Sequence, residues 1–376
     1  MMHYTLHLTN GCNLRCHYCY VHKQSRKDMA LSTAEAAVDR AAKRGAKVGL
    51  SFFGGEPLLK KDLIRNTVRY AKEREEKTGC VFHFKITTNG TLLDEEFLGF
   101  CAQNRIMVAL SMDGTKEAHD AHRMTKEGEG SYERVKKAAG MLLKYQPYAP
   151  AMMVVNPDTV HMYAKGVQNL FDTGFRYLIC SLNYGREARW SDAHMEELER
   201  QFSLISEMYE RWTLAEEKFY FSPFEVKMRS HIDGDGYCEE RCQLGLRQLS
   251  VDADGRLYPC VQFVGEEEYC VGDVFTGIDE TRRKALYLKA EETSGACEGC
   301  AIRKRCNHHC GCLNKQATGD INGISPVLCA HERLALAAAD RTANRLFEKG
   351  SNMFLQKQYN DMYPLISLIE DRSKAV

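Results

Sequence analysis

The chain of 376 residues, 44% hydrophobic and 27% charged, is long enough to bury a large domain core with a smaller module beside it. Lys plus Arg balance Asp plus Glu at 51 each, so net charge gives no reason to expect nucleic acid or an anionic membrane as a partner. No run of about 18 apolar residues and no basic-then-apolar leader occurs, and 16 cysteines in such a chain argue against a disulfide framework and for metal ligation in a reducing cytosol.

His3–Leu8 alternates as a strand. Directly behind it, Asn-Gly-Cys-Asn-Leu-Arg-Cys-His-Tyr-Cys-Tyr places Cys12, Cys16 and Cys19 with gaps of three and two residues. Iron-sulfur clusters are normally held by four thiolates, so a tight loop with three leaves one iron open to a small ligand. A structural zinc knuckle is the alternative for three cysteines taken alone. Further strands are expected at Val48–Phe53, Phe82–Thr87, Met107–Ser111, Met152–Val155 and Tyr177–Leu182. Helices are expected near Thr33–Arg44, Lys61–Lys77, Glu95–Gln103, Tyr132–Tyr145, Val160–Asp172 and Asp192–Ala215.

Six β-α units in succession predict an α/β fold, a partial (β/α)6 TIM-like barrel. A full eight-stranded barrel takes about 250 residues, whereas this pattern stops near Glu217. Chemistry is then expected at the strand C-termini, where four polar turns gather: the cysteine loop, Gly54-Gly55-Glu56-Pro57, Thr88-Asn89-Gly90 and Ser111-Met112-Asp113-Gly114. Taken alone, Gly-Gly-Glu-Pro is an ordinary tight turn with a solvated Glu, Asn89 and Asp113 are turn residues, Ser111 is a cap and Arg123 is a surface charge.

From Ser222 the apolar pattern breaks up and cysteines become dense until about Cys329. Leu249–Pro259 and Cys270–Phe275 suggest a small hairpin region, with Asp254-Gly255 as a turn. Phe219–Phe224 with Val226–Arg229 is an aromatic, partly strand-like stretch that suits pairing with a peptide edge or packing as a linker strand. Arg333–Glu348 reads as an amphipathic helix. These features divide the chain into a barrel at 1–220, a linker at 221–236, a cysteine-rich domain at 237–332 and a C-terminal helical segment at 333–376.

The cysteine loop, the Gly-Gly-Glu-Pro turn one strand later and the polar end of the fourth strand resemble the radical S-adenosylmethionine (SAM) superfamily. The resemblance implies that Cys12, Cys16 and Cys19 hold a 4Fe-4S cluster whose open iron chelates the methionyl amine and carboxylate. It also implies that Tyr18 lies against the adenine, that Gly55 and Glu56 face the methionyl amine, and that Asn89, Ser111 and Asp113 lie near the cofactor. Arg123 would meet the carboxylate, and Leu182 would touch the adenine or serve as plain core.

Twelve residues separate Cys242 from Gly255 and four separate Gly255 from Cys260; Cys297-x-x-Cys300, Cys306, Cys310 and Cys329 follow. This spacing resembles the SPASM extension, which binds two further 4Fe-4S clusters. The family order implies Cys238, Cys242, Cys260 and Cys310 for one, and Cys297, Cys300, Cys306 and Cys329 for the other. A zinc site with His308 and His309 is the alternative, and Cys238 decides whether the first set keeps an open iron able to bind a substrate thiolate. Cys80, Cys101 and Cys180 read as small core residues, while Cys270 and Cys312 stay ambiguous.

SPASM proteins resemble one another in acting on peptides or proteins, which implies a peptide or protein substrate and a reductant such as flavodoxin or ferredoxin. The favoured reaction is a thioether or related cross-link. Formylglycine formation on a sulfatase is second, because the Asp that follows Tyr-Pro-Cys in that group is Val261 here. A zinc-stabilised peptide-binding scaffold is the alternative of another class. The cysteine loop begins at residue 12, with no room before it for a winged-helix leader-binding domain. Leader recognition is therefore expected from the barrel mouth, the C-terminal module, a separate partner, or not at all.

Overall fold

Tyr4, Leu6 and Leu8 alternate along the first strand and are all fully buried, the period of two that places one sheet face on a core. In the computed structural model, which describes residues 1–21, 27–234, 243–292, 294–307 and 310–373, the strands in chain order are β1 (Met2–Thr9), β2 (Leu14–Cys16), β3 (Lys47–Gly54), β4 (Val81–Thr88), β5 (Met107–Ser111), β6 (Arg123–Thr125), β7 (Pro150–Val155), β8 (Tyr177–Leu182), β9 (Tyr220–Phe221), β10 (Gln248–Val251) and β11 (Leu257–Tyr258). The helices are α1 (Leu31–Ala42), α2 (Lys61–Thr78), α3 (Glu95–Gln103), α4 (Lys116–His122), α5 (Tyr132–Tyr145), α6 (Tyr163–Thr173), α7 (Asp192–Leu214), α8 (Ser222–Ile232), α9 (Glu280–Glu291), α10 (Gly311–Thr318), α11 (Pro326–Glu348), α12 (Asn352–Tyr359) and α13 (Tyr363–Ser373).

One nine-stranded sheet runs β11-β10-β1-β3-β4-β5-β7-β8-β9. Its six expected strands are parallel and stand in sequence order, with Thr5 beside Ser51, Ser51 beside Lys85, Thr87 beside Ala109, Ser111 beside Met152 and Val154 beside Ser181. Each connection carries a helix, and the helices are amphipathic at the spacing a covered sheet needs: α1 buries Ala34, Ala37, Val38 and Ala41. Among the described residues β1 and β8 do not pair, and their outer edges are covered by the β10–β11 hairpin and by β9. No helix among the described residues is long and apolar enough to cross a membrane.

Three expectations change. The expected hairpin, β10–β11, turns at Gly255 with φ 93° and joins the barrel sheet, because β10 pairs in parallel with β1 from His3↔Gln248 to Leu6↔Val251. The 221–236 linker is largely helix α8, since Phe224 and Met228, four apart and both fully buried, form one helical face; only Tyr220–Phe221 is strand. The 332/333 boundary cuts through α11, which starts earlier because Ser325 accepts the Leu328 amide and Pro326 opens the first turn. Cys329 thereby stands in the first turn of that helix. In the fifth crossover, a 3-10 turn over Pro157–Met162 precedes α6, since Asn156 and Pro157 begin the turn before the apolar face starts.

Candidate active site

Thr9 ends β1, and the backbone then turns into the cysteine loop. The end of β3 holds that loop: the Gly55 amide donates to the Thr9 carbonyl at 2.8 Å and the Glu56 amide to the Gly11 carbonyl at 2.9 Å. The approach is so close that a Cβ on Gly55 would lie 2.1 Å from the Gly11 carbonyl oxygen, which is why the turn needs glycine. On its other side the loop is held by the β2–β6 ribbon, where Cys16 stands opposite Arg123.

The expected SAM-facing residues form two hubs. Glu56 is fully buried, and its carboxylate accepts from Leu58 N at 2.9 Å, Thr88 Oγ1 at 2.7 Å and Asn89 N at 2.8 Å. Burial pushes its carboxyl up, and the three donors tie the end of β3 to the end of β4. Asn89 Nδ2 donates to Asn13 Oδ1 at 2.9 Å and lies 3.8 Å from Cys12 Sγ, so this turn braces the cysteine loop.

Asp113, 1% exposed, is the second hub. Arg123 reaches it twice, through Nε at 2.8 Å and Nη2 at 3.1 Å, the Tyr18 hydroxyl donates at 2.6 Å and the Val154 amide at 2.9 Å. Burial raises the Asp113 carboxyl, but the Arg123 guanidinium and these donors outweigh it and hold the group below its ordinary value. The guanidinium also lies 5.4 Å from the Tyr18 ring centre. Ser111 is half-buried at the end of β5, and Leu182 is buried core at the end of β8.

The described cysteines are free thiols. Burial pushes Cys12 up to about 11 and Cys16 up to about 12, and each also feels Cys19, so the three thiols lie within electrostatic reach of one another. Among the described residues no three ligand side chains converge as the shell of a single ion would. Three thiols on one loop, within electrostatic reach of one another, supply the sulfur donors of an iron-sulfur cluster, in which each sulfur takes its own iron.

In the C-terminal part, Cys260 and Cys310 both contact Cys312, with Cys310 Sγ 3.3 Å from Cys312 Sγ. Cys297, Cys300 and Cys329 form a second neighbourhood, and Arg333 Nη2 donates to Cys300 Sγ at 3.5 Å. Cys306 precedes Asn307, whose amide donates to Glu332 on α11 at 3.0 Å. Cys238, Cys242, His308 and His309 lie outside the described residues. Cys80 and Cys101 are buried core, and Cys270 packs half-buried beside the Tyr258–Phe263 cluster.

A cavity of about 990 Å3 opens between the two cysteine regions. Tyr18, Cys19, His122, Asn156 and Asn183 line its barrel side; Asp252, Gln262, Glu266, Cys312 and Lys315 line the other. Tyr20 spans the two, within reach of Cys19, Cys260 and Cys312. Sequence reading missed the wall residues His122, at the last position of α4, and Asn156, Asn183 and Asp252, whose only local signal was a position just beyond a strand end. Cys312 had a signal in its Cys-x-Cys spacing to Cys310.

Residues 6–165 match the model of the Radical SAM superfamily. The chain is 26% identical over 288 residues to a cysteine-type anaerobic sulfatase-maturating enzyme of Clostridium novyi (strain NT), covering 70% of this chain and 74% of that protein. It is 24% identical over 340 residues to the cysteine-type enzyme of Clostridium perfringens (strain 13 / Type A), covering 83% and 90%. Its fold is shared with native anSMEcpe with bound AdoMet, at TM-score 0.79, 20% identity, 93% of this chain and 100% of that one. Streptococcus suis SuiB bound to precursor peptide SuiA follows at TM-score 0.62, 15% identity, 87% and 75%. With its three-cysteine loop clamped by the Gly-Gly-Glu-Pro turn, this chain carries a radical SAM domain over residues 6–165.

Proposed function

We propose that the chain reductively cleaves SAM and uses the 5'-deoxyadenosyl radical to take a hydrogen atom from a peptide or protein side chain, closing a thioether or related cross-link. The observation that carries this reading is the cavity of about 990 Å3 with Cys19 on one wall and Cys312 on the other. Its size stands at the top of the roughly 300–1,000 Å3 range of ligand pockets, enough for a cofactor and a substrate segment together. Similar proteins support a peptide substrate: anSMEcpe has been solved with AdoMet and the Cp18Cys peptide, and SuiB with its precursor peptide SuiA.

Cys12, Cys16 and Cys19 hold a 4Fe-4S cluster in this reading, and the bound cluster supplies the electron that breaks the sulfonium's bond to the 5' carbon. The chain's own residues position and shield. Tyr18 lies against the adenine, its hydroxyl fixed by Asp113. Gly55 and Glu56 hold the turn that faces the methionyl amine, Asn89 braces the cysteine loop, and Ser111 and Leu182 border the cofactor at two strand ends. Arg123, desolvated beside Asp113, meets the methionyl carboxylate. The cavity wall excludes water from the radical.

Two auxiliary 4Fe-4S clusters are assigned to Cys238, Cys242, Cys260 and Cys310, and to Cys297, Cys300, Cys306 and Cys329, within a SPASM-type region at 237–332 behind the barrel at 1–220. A cytoplasmic location keeps these thiols reduced. A flavodoxin or ferredoxin delivers the electron, and a separate leader-binding protein is a candidate partner.

A second reading, formylglycine formation on a sulfatase, is favoured by the sulfatase-maturating relatives. Val261, packed against the Tyr258–Phe263 cluster, offers no base after Cys260, which supports the cross-link instead.

Anaerobically reconstituted enzyme is expected to hold about twelve irons per chain with matching sulfide, and to release 5'-deoxyadenosine from SAM and dithionite. With cysteine-containing peptides, loss of two hydrogens together with an alkylatable thiol marks a cross-link, whereas a hydrazide-reactive aldehyde marks formylglycine. Zinc without sulfide, or no 5'-deoxyadenosine from an iron-loaded sample, overturns both readings.

A further inference from the structure

The wall of the cavity contains a side chain whose orientation is fixed but whose donor is unspent. Asn156 follows β7 directly and stands at the N-cap of the 3-10 turn, where an Asn side chain ordinarily accepts from an amide of the first turn. Here it does not; the backbone carbonyl of Asn156 takes the Thr159 amide at 3.1 Å instead. The side chain turns toward the end of β8, and its Oδ1 accepts from Asn183 Nδ2 at 2.8 Å.

Asn183 is itself locked. Its Oδ1 accepts from Gly185 N at 3.0 Å, its amide donates to the Val155 carbonyl at 2.8 Å, and its carbonyl accepts from Trp190 Nε1 at 2.7 Å. Because Asn183 Oδ1 faces an N–H, its other end must be the NH2 group. The atom of Asn156 that meets it must then be oxygen. The relay therefore settles which way the Asn156 amide is turned and leaves its Nδ2 as the unpaired donor. Asn156 is only 3% exposed, and that Nδ2 has no partner. A buried donor without an acceptor is costly, and native chains rarely keep one without use.

A second atom of the same wall is also unpartnered. His122 Nε2 faces the Asp158 carboxylate, with Oδ1 at 3.0 Å, so the tautomer that donates there presents Nδ1 as an acceptor, and Nδ1 is buried without a partner. Both residues line the cavity, and Asp158 is two positions beyond Asn156. One donor and one acceptor on a single wall are the complement of one residue of an extended strand, whose own N–H and C=O point to the same side.

We infer that Asn156, held by the Asn183 relay, is a positioning residue that grips a main-chain carbonyl of the substrate peptide, with His122 Nδ1 taking an N–H of the same strand. This rests on the peptide reading above and names the part of the substrate that the wall recognises. Main-chain recognition fixes the depth at which the peptide enters without selecting its side chains. The cofactor side differs, because there the Tyr18, Asp113 and Arg123 groups are already joined to one another.

The test uses reconstituted full-length enzyme, a fluorescein-labelled cysteine-containing peptide and SAM, each followed by equilibrium binding. Asn156→Ala, and Asn156→Asp, which keeps the shape and the acceptor but removes the donor, are each expected to weaken the peptide roughly tenfold, as loss of one hydrogen bond implies. The dissociation constant for SAM and the iron content are expected to stay at their wild-type values. The loss in Asn156→Ala is expected to be equal for peptides whose side chains are replaced one at a time by alanine, because the contact is to main chain.

Unchanged peptide affinity in both variants overturns the inference, as does a fall in SAM affinity, which would assign the donor to the cofactor. Wild-type enzyme that binds no peptide overturns it too. Failure of the functional reading itself registers separately, as wild-type enzyme that makes no 5'-deoxyadenosine.

Discussion

Asp113 gathers two nitrogens of Arg123, the Tyr18 hydroxyl and the Val154 amide on one carboxylate, so the ion pair is worth most as a fixed geometry. Replacing it by Asn keeps the shape but leaves a desolvated guanidinium unpaired, and breaking a buried pair in this way costs about 3–5 kcal/mol. Asp113→Asn is therefore expected to lower the thermal midpoint markedly and to weaken SAM binding, both read by calorimetry; a variant as stable as wild type would show the pair to be incidental. His7 makes the opposite case. It is fully buried beside Phe53 with both ring nitrogens unpartnered, and burial pushes its pKa down to about 3. The unfolded chain takes up a proton there near pH 6.5 and the folded one does not, so stability is complete above that pH and falls as pH drops from 6.5 toward 3. At pH 5 the loss amounts to about 2 kcal/mol. His7→Leu should be less sensitive than wild type in urea midpoints compared at pH 7 and pH 5, and equal slopes would refute it.

At the scale of elements, the cysteine loop is a junction between strands. The β3 end receives the loop backbone, the β4 end braces it through Asn89 and Asn13, and the β2–β6 ribbon ties it to Arg123. Gly55→Ala drives a methyl into the Gly11 carbonyl, and neither backbone segment has slack. Expected outcomes are a loss of iron near the N-terminus and a fall of at least tenfold in 5'-deoxyadenosine formation, with the sheet's circular dichroism retained; normal activity would mean that the turn yields. The six strands and most helices were legible because apolar residues recur with periods of two and near four. The ribbon was not, since Leu14–Cys16 and Arg123–Thr125 are three residues each and pair across more than a hundred positions. The α8 helix was missed for a related reason: the aromatic run Phe219–Phe224 that leads into it favours strands locally, and packing against its neighbours decided otherwise.

For the whole molecule, the β10–β11 hairpin extends the barrel sheet beside β1, so Cys260, just beyond β11, is carried by the same sheet as the cysteine loop. Lys227 on α8 and Glu332 on α11 form a buried pair, and Glu332 also receives the amide that follows Cys306. Cluster binding in the two regions should nonetheless be separable, since the ligand loops lie far apart in sequence. Replacing Cys12, Cys16 and Cys19 together by Ala is expected to remove about four irons per chain and all SAM cleavage while the remaining iron-sulfur absorption persists. Loss of all iron would instead mean that the sites assemble as one.

The order of the parallel strands, the three-thiol loop, the Gly-Gly-Glu-Pro turn and the spacing of the C-terminal cysteines were properties of the sequence alone, because each depends on residues that are near neighbours along the chain. Tertiary structure alone decided that Glu56 and Asp113 are saturated hubs, that Cys312 sits against Cys310 and Cys260, and that Asn156 keeps an unspent donor. Partners such as Thr88 on Glu56, Tyr18 on Asp113 and Asn183 on Asn156 lie 27 to 95 residues away, and only the folding of six strand ends onto one rim brings them within hydrogen-bond distance.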